Sequence, residues 1–264
     1  MQFFKSILNR AKNLYAWGLK ENIFFMHIPK CGGTSISHAI SRKYLTPDFT
    51  RNRIVSLDTY ASSNTAKLLD LQTLKFRENL LLYFMNMKNV KYISGHFSFS
   101  EIAFREFHNK FAFVTVLREP VKRWISVYFY SRYKESTHCK IETDITTFIQ
   151  SKEGKSKGHA YIRFLGGIDE EMDYTSKQAL DRAKGNLDKF DIVGFLEYKE
   201  NFIQQFENRF GVRLALKKEN PSPVTQIFKD SVITEEIIEK IKTICKPDIE
   251  IYQYAVDKFV KRNH

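Results

Sequence analysis

The sequence predicts an α/β domain of three layers, a central parallel sheet flanked by helices on both faces. Short apolar runs of strand length alternate with segments of helical period, and the clearest run, KFAFVTVL at 110–117, is apolar almost throughout. A strand without a polar face has to be covered on both sides, which is the condition inside a parallel sheet wrapped by helices. Length agrees, since 264 residues suffice to bury a sizeable core in one domain.

Taken in order, Asn22 to Ile28 (NIFFMHI) read as a buried strand ended by Pro29. A helical pattern follows from about Thr34 to Tyr44, and Thr65 to Met87 form a long Leu-rich segment of helical period. Val90 to Ser94 make a short strand, then Lys110 to Leu117 the main one. Pro120 opens a helix running to about Tyr133, because its missing N–H would have no partner in a first turn anyway. Ser151 to Gly158 (SKEGKSKG) are polar and basic and read as a flexible surface loop or lid. Asp191 to Leu196 are a further strand, and helices dominate from Tyr198 onward. No repeat, low-complexity tract or linker divides the chain.

At the N-terminus, Phe3, Phe4, Ile7, Leu8, Ala11, Leu14 and Tyr15 share one helical face, with Lys5, Arg10, Lys12 and Asn13 on the other. Residues 1–21 are therefore expected as an amphipathic helix ahead of a domain at 22–264. Charges interrupt its apolar stretch, so it is not the core of a signal peptide. Packing against the domain and contact with a membrane surface through residues 3–20 both stand as readings.

Composition narrows the partners. With 43% hydrophobic and 14% aromatic residues the chain is not disordered. Its 42 Lys+Arg against 30 Asp+Glu give a net charge of +12. That excess points to an anion: nucleic acid, a nucleotide, an acidic polysaccharide or a membrane surface. Cys31, Cys139 and Cys245 are too widely spaced for a zinc site and make no disulfide framework. No apolar run approaches the roughly 18 residues of a bilayer span. The expected location is cytoplasmic, peripheral to a membrane if the N-terminal helix binds lipid.

Two junctions carry the chemistry. In the first, the strand at 22–28 runs into Pro-Lys-Cys-Gly-Gly-Thr-Ser at 29–35 and then into a helix. Gly32 and Gly33 let the backbone approach a ligand, and the unpaired N–H groups of the helix start face it. Lys30 adds a positive charge, and Thr34 and Ser35 add hydroxyls. The Walker A order Gly-Lys-Ser/Thr is absent, because the lysine precedes the glycines. Two glycines also suit a plain tight turn, but the lysine before them and the hydroxyls after them favour an anion cradle. Cys31 lies inside this loop; the helix start and Lys30 would lower its thiol pKa, although a small residue in a crowded turn is the simpler reading. In the second junction, LREPVKRWISVYFY, a strand end delivers Arg118 and the next helix carries Ser126, a pair suited to a second phosphate.

HIPKCGGTS followed by LREPVKRWISVYFY resembles the two nucleotide signatures of sulfotransferases that use 3′-phosphoadenosine-5′-phosphosulfate (PAPS). The similarity is greatest to the carbohydrate branch, the heparan sulfate 2-O-sulfotransferases and their bacterial relatives. Weaker matches in family order are ISGHF at 93–97, YIRFLGG at 161–167, FDIVGFLEYKENF at 190–202 and ENPS at 219–222. The resemblance implies a P-loop-like fold and a sulfotransferase domain over 22–264. It implies that Lys30, Cys31, Gly32, Gly33, Thr34 and Ser35 hold the 5′ side of the donor, and Arg118 and Ser126 its 3′-phosphate. Golgi members of that family carry a membrane anchor and lumenal disulfides; neither is evident here, which implies a bacterial-type intracellular enzyme.

Sulfuryl transfer needs an in-line acceptor oxygen, removal of its proton and stabilisation of the departing phosphate. His96 follows Gly95 at the end of a short strand, near the carboxyl edge of the sheet, and an unperturbed imidazole titrates near 6.5, so it is the candidate base. The family uses a histidine in a similar Gly-His segment. Lys30 is the candidate for stabilising the departing charge. No metal is expected, since HExxH, paired carboxylates and Cys/His clusters are missing from the sequence. Glu119 reads as an acid placed at a helix start, His27 as a buried structural histidine, and Arg163 as a contact for the sulfate or an anionic acceptor. The expected acceptor is a carbohydrate or another hydroxyl compound. A Mg²⁺-dependent kinase on a similar sheet and a non-catalytic polyanion-binding module are the competing readings, and nucleic acid is a minor one.

Overall fold

A computed structural model describes residues 19–44, 53–167, 173–217 and 223–261. Five strands, β1 (Asn22–Met26), β2 (Arg53–Ser56), β3 (Val90–Gly95), β4 (Phe111–Leu117) and β5 (Ile192–Phe195), form one sheet in the order β2-β3-β1-β4-β5. Every pairing is parallel. Between β1 and β2 lies α1 (Gly33–Ser41), continued by a 3₁₀ turn at Arg42–Tyr44; α2 (Thr59–Leu68) and α3 (Thr73–Asn86) lead to β3, and α4 (Glu101–Phe107) to β4. Nine α-helices follow β4 among the described residues, five before β5 and four after it. After β4 come α5 (Pro120–Tyr133), α6 (Ile145–Gln150), α7 (Lys152–Lys157), α8 (Ala160–Leu165) and α9 (Lys177–Leu187). After β5 come α10 (Lys199–Phe210), α11 (Gln226–Val232), α12 (Glu235–Ile244) and α13 (Lys246–Phe259).

The alternation of side chains along β1 explains the layers. Ile23 and Phe25 point into a core shared with Ile36, Ala39 and Ile40 of α1 and with Phe202 and Phe206 of α10. Phe24 and Met26 point the other way, into a core built with α3, α8, α9 and α13 through Leu81, Tyr161, Leu187 and Ile251. All seven residues of β4 are buried, as its sequence predicts. A third apolar cluster, around Trp124, Phe148 and Ile241, packs α5, α6 and α12 together.

The site is placed by the sheet order. The chain leaves β1 toward β2 and β3 on one side and reaches β4 and β5 on the other, so β1 sits at the switch point, beside both β3 and β4. Met26 pairs with Gly95 in β3 and with Thr115 in β4, which brings the carboxyl ends of three strands level. Open α/β sheets bind ligands at that crevice.

Three expectations are corrected. The segment Thr65–Met87 is two helices rather than one, broken at Leu69–Gln72 between α2 and α3. Ser151–Gly158 is no loop: Ser151 caps α7 by accepting from Gly154 N, and the buried Gly154 gives its carbonyl to Trp124 Nε1 at 2.8 Å. The surface Lys152, Lys155 and Lys157 thus ride on a docked helix. Residues 19–21 of the expected N-terminal helix are not helical, and Leu19 packs into the α1 core. The remainder of that helix, and Asn220 and Ser222 of the ENPS match, lie outside the described residues.

Candidate active site

The loop after β1 begins with a strained residue. Lys30 has φ 67°, in the left-handed region that L side chains avoid at a cost of about 1 kcal/mol or more. Arg118 offsets that strain by donating from Nη1 to the Lys30 carbonyl at 3.2 Å, tying the second junction to the first. Gly32 follows at φ 75°, and a Cβ there would lie 2.6 Å from Leu196 Cδ1. Gly33 starts α1 against the His27 ring, where a Cβ would approach Cδ2 to 2.0 Å. Both glycines are therefore required by geometry. Gly32 gives α1 no side-chain cap, whereas Asp58, Ser100 and Glu119 cap α2, α4 and α5 with side-chain oxygens. Gly32 thus puts no side chain over the start of α1, the end of a helix that attracts anions.

One cavity of about 900 Å³ opens over these elements. Lys30, Gly32, Gly33, Thr34, Ser35, His96, Arg118 and Ser126 all line it, together with His27 and Tyr130. Cys31 does not. Its thiol is buried, 3.6 Å from Tyr161 Oη, and burial pushes its pKa up to about 11, so the lowered pKa expected from the helix start is not what the fold provides. Arg163 is also not among the lining residues. Glu119 caps α5 as expected, accepting from Val121 N and Lys122 N.

Lys30 Nζ lies 3.3 Å from the centre of the Tyr130 ring. Burial, and then Arg118, Lys134 and Lys229, lower its pKa to about 8, so the ammonium is still charged at neutral pH. His96 Nδ1 is 2.5 Å from the His27 carbonyl. A carbonyl only accepts, so Nδ1 carries the proton and Nε2 is left with its lone pair. Burial lowers the His96 pKa, with Arg77 and Lys30 acting in the same direction against the His27 carbonyl. The ring is consequently neutral at pH 7, the state a base needs. His27, whose ring centre is 4.6 Å from that of His96, is lowered to about 3 by burial, His96 and Lys30. The buried, structural reading of His27 fits its carbonyl bond and its packing on Gly33, and its ring also faces the cavity.

Sequence reading missed the far wall of the cavity: Leu196, Lys199, Ile203, Arg213, Leu214 and Lys217. Leu196 directly follows β5, Lys199 and Ile203 lie on α10, and Arg213, Leu214 and Lys217 on the segment after it. The FDIVGFLEYKENF match at 190–202 covers Leu196 and Lys199 but gave no sign that they face a ligand, and no motif marks the others. Tyr130 was within reach, since it stands four residues after Ser126 on α5 and so on the same face.

A glycine-turned loop, the cations Lys30 and Arg118 and the neutral His96 thus meet in one crevice. The chain belongs to the sulfotransferase family, whose model matches residues 19–255. It is 25% identical over 256 residues to heparan sulfate 2-O-sulfotransferase 1 of Mus musculus, covering 90% of this chain and 70% of that protein. The protein of the same name from Homo sapiens is 25% identical over 258 residues, with the same coverage. A crystal structure of mouse sulfotransferase SULT7A1 complexed with PAP aligns at 13% identity over 94% of this chain and 93% of that one, with a TM-score of 0.43. No helix among the described residues is long and apolar enough to cross a membrane.

Proposed function

We propose that this sulfotransferase moves a sulfuryl group from PAPS to a hydroxyl of a carbohydrate acceptor, with His96 as general base. The observation that carries the proposal is the convergence of Lys30, His96 and Arg118, from the ends of three adjacent strands, on one cavity. The residues present fit the donor. Gly32 and Gly33 leave a cradle that a Cβ would fill, uncapped amides and Lys30 stand at one end, and Arg118 and Ser126 offer a fork and a hydroxyl for a second phosphate. PAPS, when bound, supplies an activated sulfuryl group and a phosphate leaving group.

His96 Nε2 accepts the acceptor's hydroxyl proton while Nδ1 stays bonded to the His27 carbonyl, so the ring is held through the transfer. Lys30 leaves the Tyr130 face and sets its ammonium against the charge that develops on the leaving oxygen, helped by the first amides of α1. Carbohydrate as the acceptor class is carried over from the heparan sulfate relatives.

His96→Ala should abolish transfer from labelled PAPS while leaving affinity for the desulfated nucleotide, read by calorimetry, within about threefold of the parent. Retained turnover removes His96 from the role of base. Nucleotide binding no tighter than that of ATP removes the donor.

A further inference from the structure

Arg77 has no part in any motif, yet it is the residue of α3 most closely tied to the candidate base. Its side chain is only 8% exposed. Nη1 donates to the His96 carbonyl at 3.1 Å, Nε to Ser62 Oγ at 3.1 Å, and Nη2 to the Thr59 carbonyl and Ser63 Oγ, both at 3.1 Å. These four acceptors are all neutral oxygens, so they leave the guanidinium its positive charge. Burying a charge to join α2 and α3 is costly, and a neutral amide or an apolar contact would join them with less loss. Its location beside His96 gives that charge a use.

We propose that Arg77 is a positioning residue for His96: its fork fixes the backbone of residue 96 from the α2–α3 side, while the His27 carbonyl fixes the ring from β1. The inference rests on the reading of His96 as base. The groups facing the imidazole are His27 from the end of β1, Lys30 from the loop after it, and Arg77 from α3. Of these, Arg77 and Lys30 are cations that disfavour the imidazolium, and Arg77 is the one that also touches residue 96 by a hydrogen bond. Its removal therefore raises the imidazole pKa and shrinks the pH range in which the base is free.

The test compares Arg77→Gln, Arg77→Lys and His96→Ala in the full chain, reading kcat and kcat/KM for acceptor from pH 5 to 9 at saturating PAPS. Arg77→Gln should move the acid limb of kcat/KM to higher pH by about half a unit or more. Arg77→Lys keeps the charge and loses the fork, so its limb should stay in place while kcat falls about tenfold. KM for PAPS should not change in either. A merely structural arginine would lower the melting temperature without moving the limb, and that result overturns the proposal. An active His96→Ala would instead overturn the base reading, which separates the two failures. Should Arg77→Gln not fold, Ser62→Ala/Ser63→Ala removes two acceptors of the fork and keeps the charge. A lower kcat with an unmoved limb then supports the role, and an unchanged kcat overturns it.

Discussion

Under the proposed mechanism, Lys30 is the residue whose protonation should set the upper end of the working range. Its pKa of about 8 means that the ammonium is present below that pH and lost above it. Turnover should therefore decline as pH rises through about 8, and Lys30→Met should lower kcat at neutral pH and remove that alkaline limb. A limb that survives in Lys30→Met belongs to another group. Arg118→Ala should act on binding, because a charge-assisted contact is worth roughly 1.5–3 kcal/mol, or about 10- to 150-fold in Kd for the desulfated nucleotide. These residues were legible because each sits inside a local strand-to-helix motif, Lys30 in the loop after β1 and Arg118 at the end of β4, although 88 residues separate them. Arg77 was not, because its partners Ser62, Ser63 and His96 lie 15, 14 and 19 residues away on other elements. Cys31 shows the opposite failure: its position in the loop was clear, but the turn that sends its thiol toward Tyr161 depends on the backbone of Lys30 and on α8.

At the scale of elements, the junction between β1 and α1 is the least forgiving. A Cβ at Gly33 would overlap the His27 ring, a side chain that is itself held beside His96. Gly33→Ala must push that ring away, so it should cost about 1–3 kcal/mol of stability by urea unfolding and also weaken nucleotide binding. An alanine variant with parental stability and affinity would show that the ring has room to move. β1, β4 and α5 were readable to within a residue or two, since each is an apolar run or a proline-opened helix with local signals. β2, four residues long and paired along one side only, has no apolar run to announce it. α7 was taken for a loop because its composition is polar; a serine cap and one buried tryptophan bond decide it instead.

For the molecule as a whole, the helices behind the second junction are joined by one buried ion pair. Asp248 on α13 accepts from Tyr161 N and Ile162 N at the start of α8, and Arg123 on α5 lies 3.7 Å from its carboxylate. Tyr161 in turn accepts from Arg118 N at 2.7 Å, so the pair stands directly behind Arg118, the arginine proposed to hold the second phosphate. Burial raises the Asp248 pKa to about 6 against the pull of Arg123 and the amides. A folded value above the ordinary 3.8 means stability from this group that is full at low pH and is lost as pH rises through about 6. Asp248→Asn should therefore remove that pH dependence. It should also destabilise the protein by about 3–5 kcal/mol at pH 7, because it leaves the Arg123 charge buried without its partner. Adding Arg123→Met removes the orphaned charge, and the Asn oxygen still accepts from α8, so the double variant should recover most of the loss. Urea unfolding at pH 5 and pH 7 reads both effects. If the single and double variants are equally unstable, the pair is replaceable only as a shape, and the charge of Arg123 plays no part in holding α5, α8 and α13 behind the site.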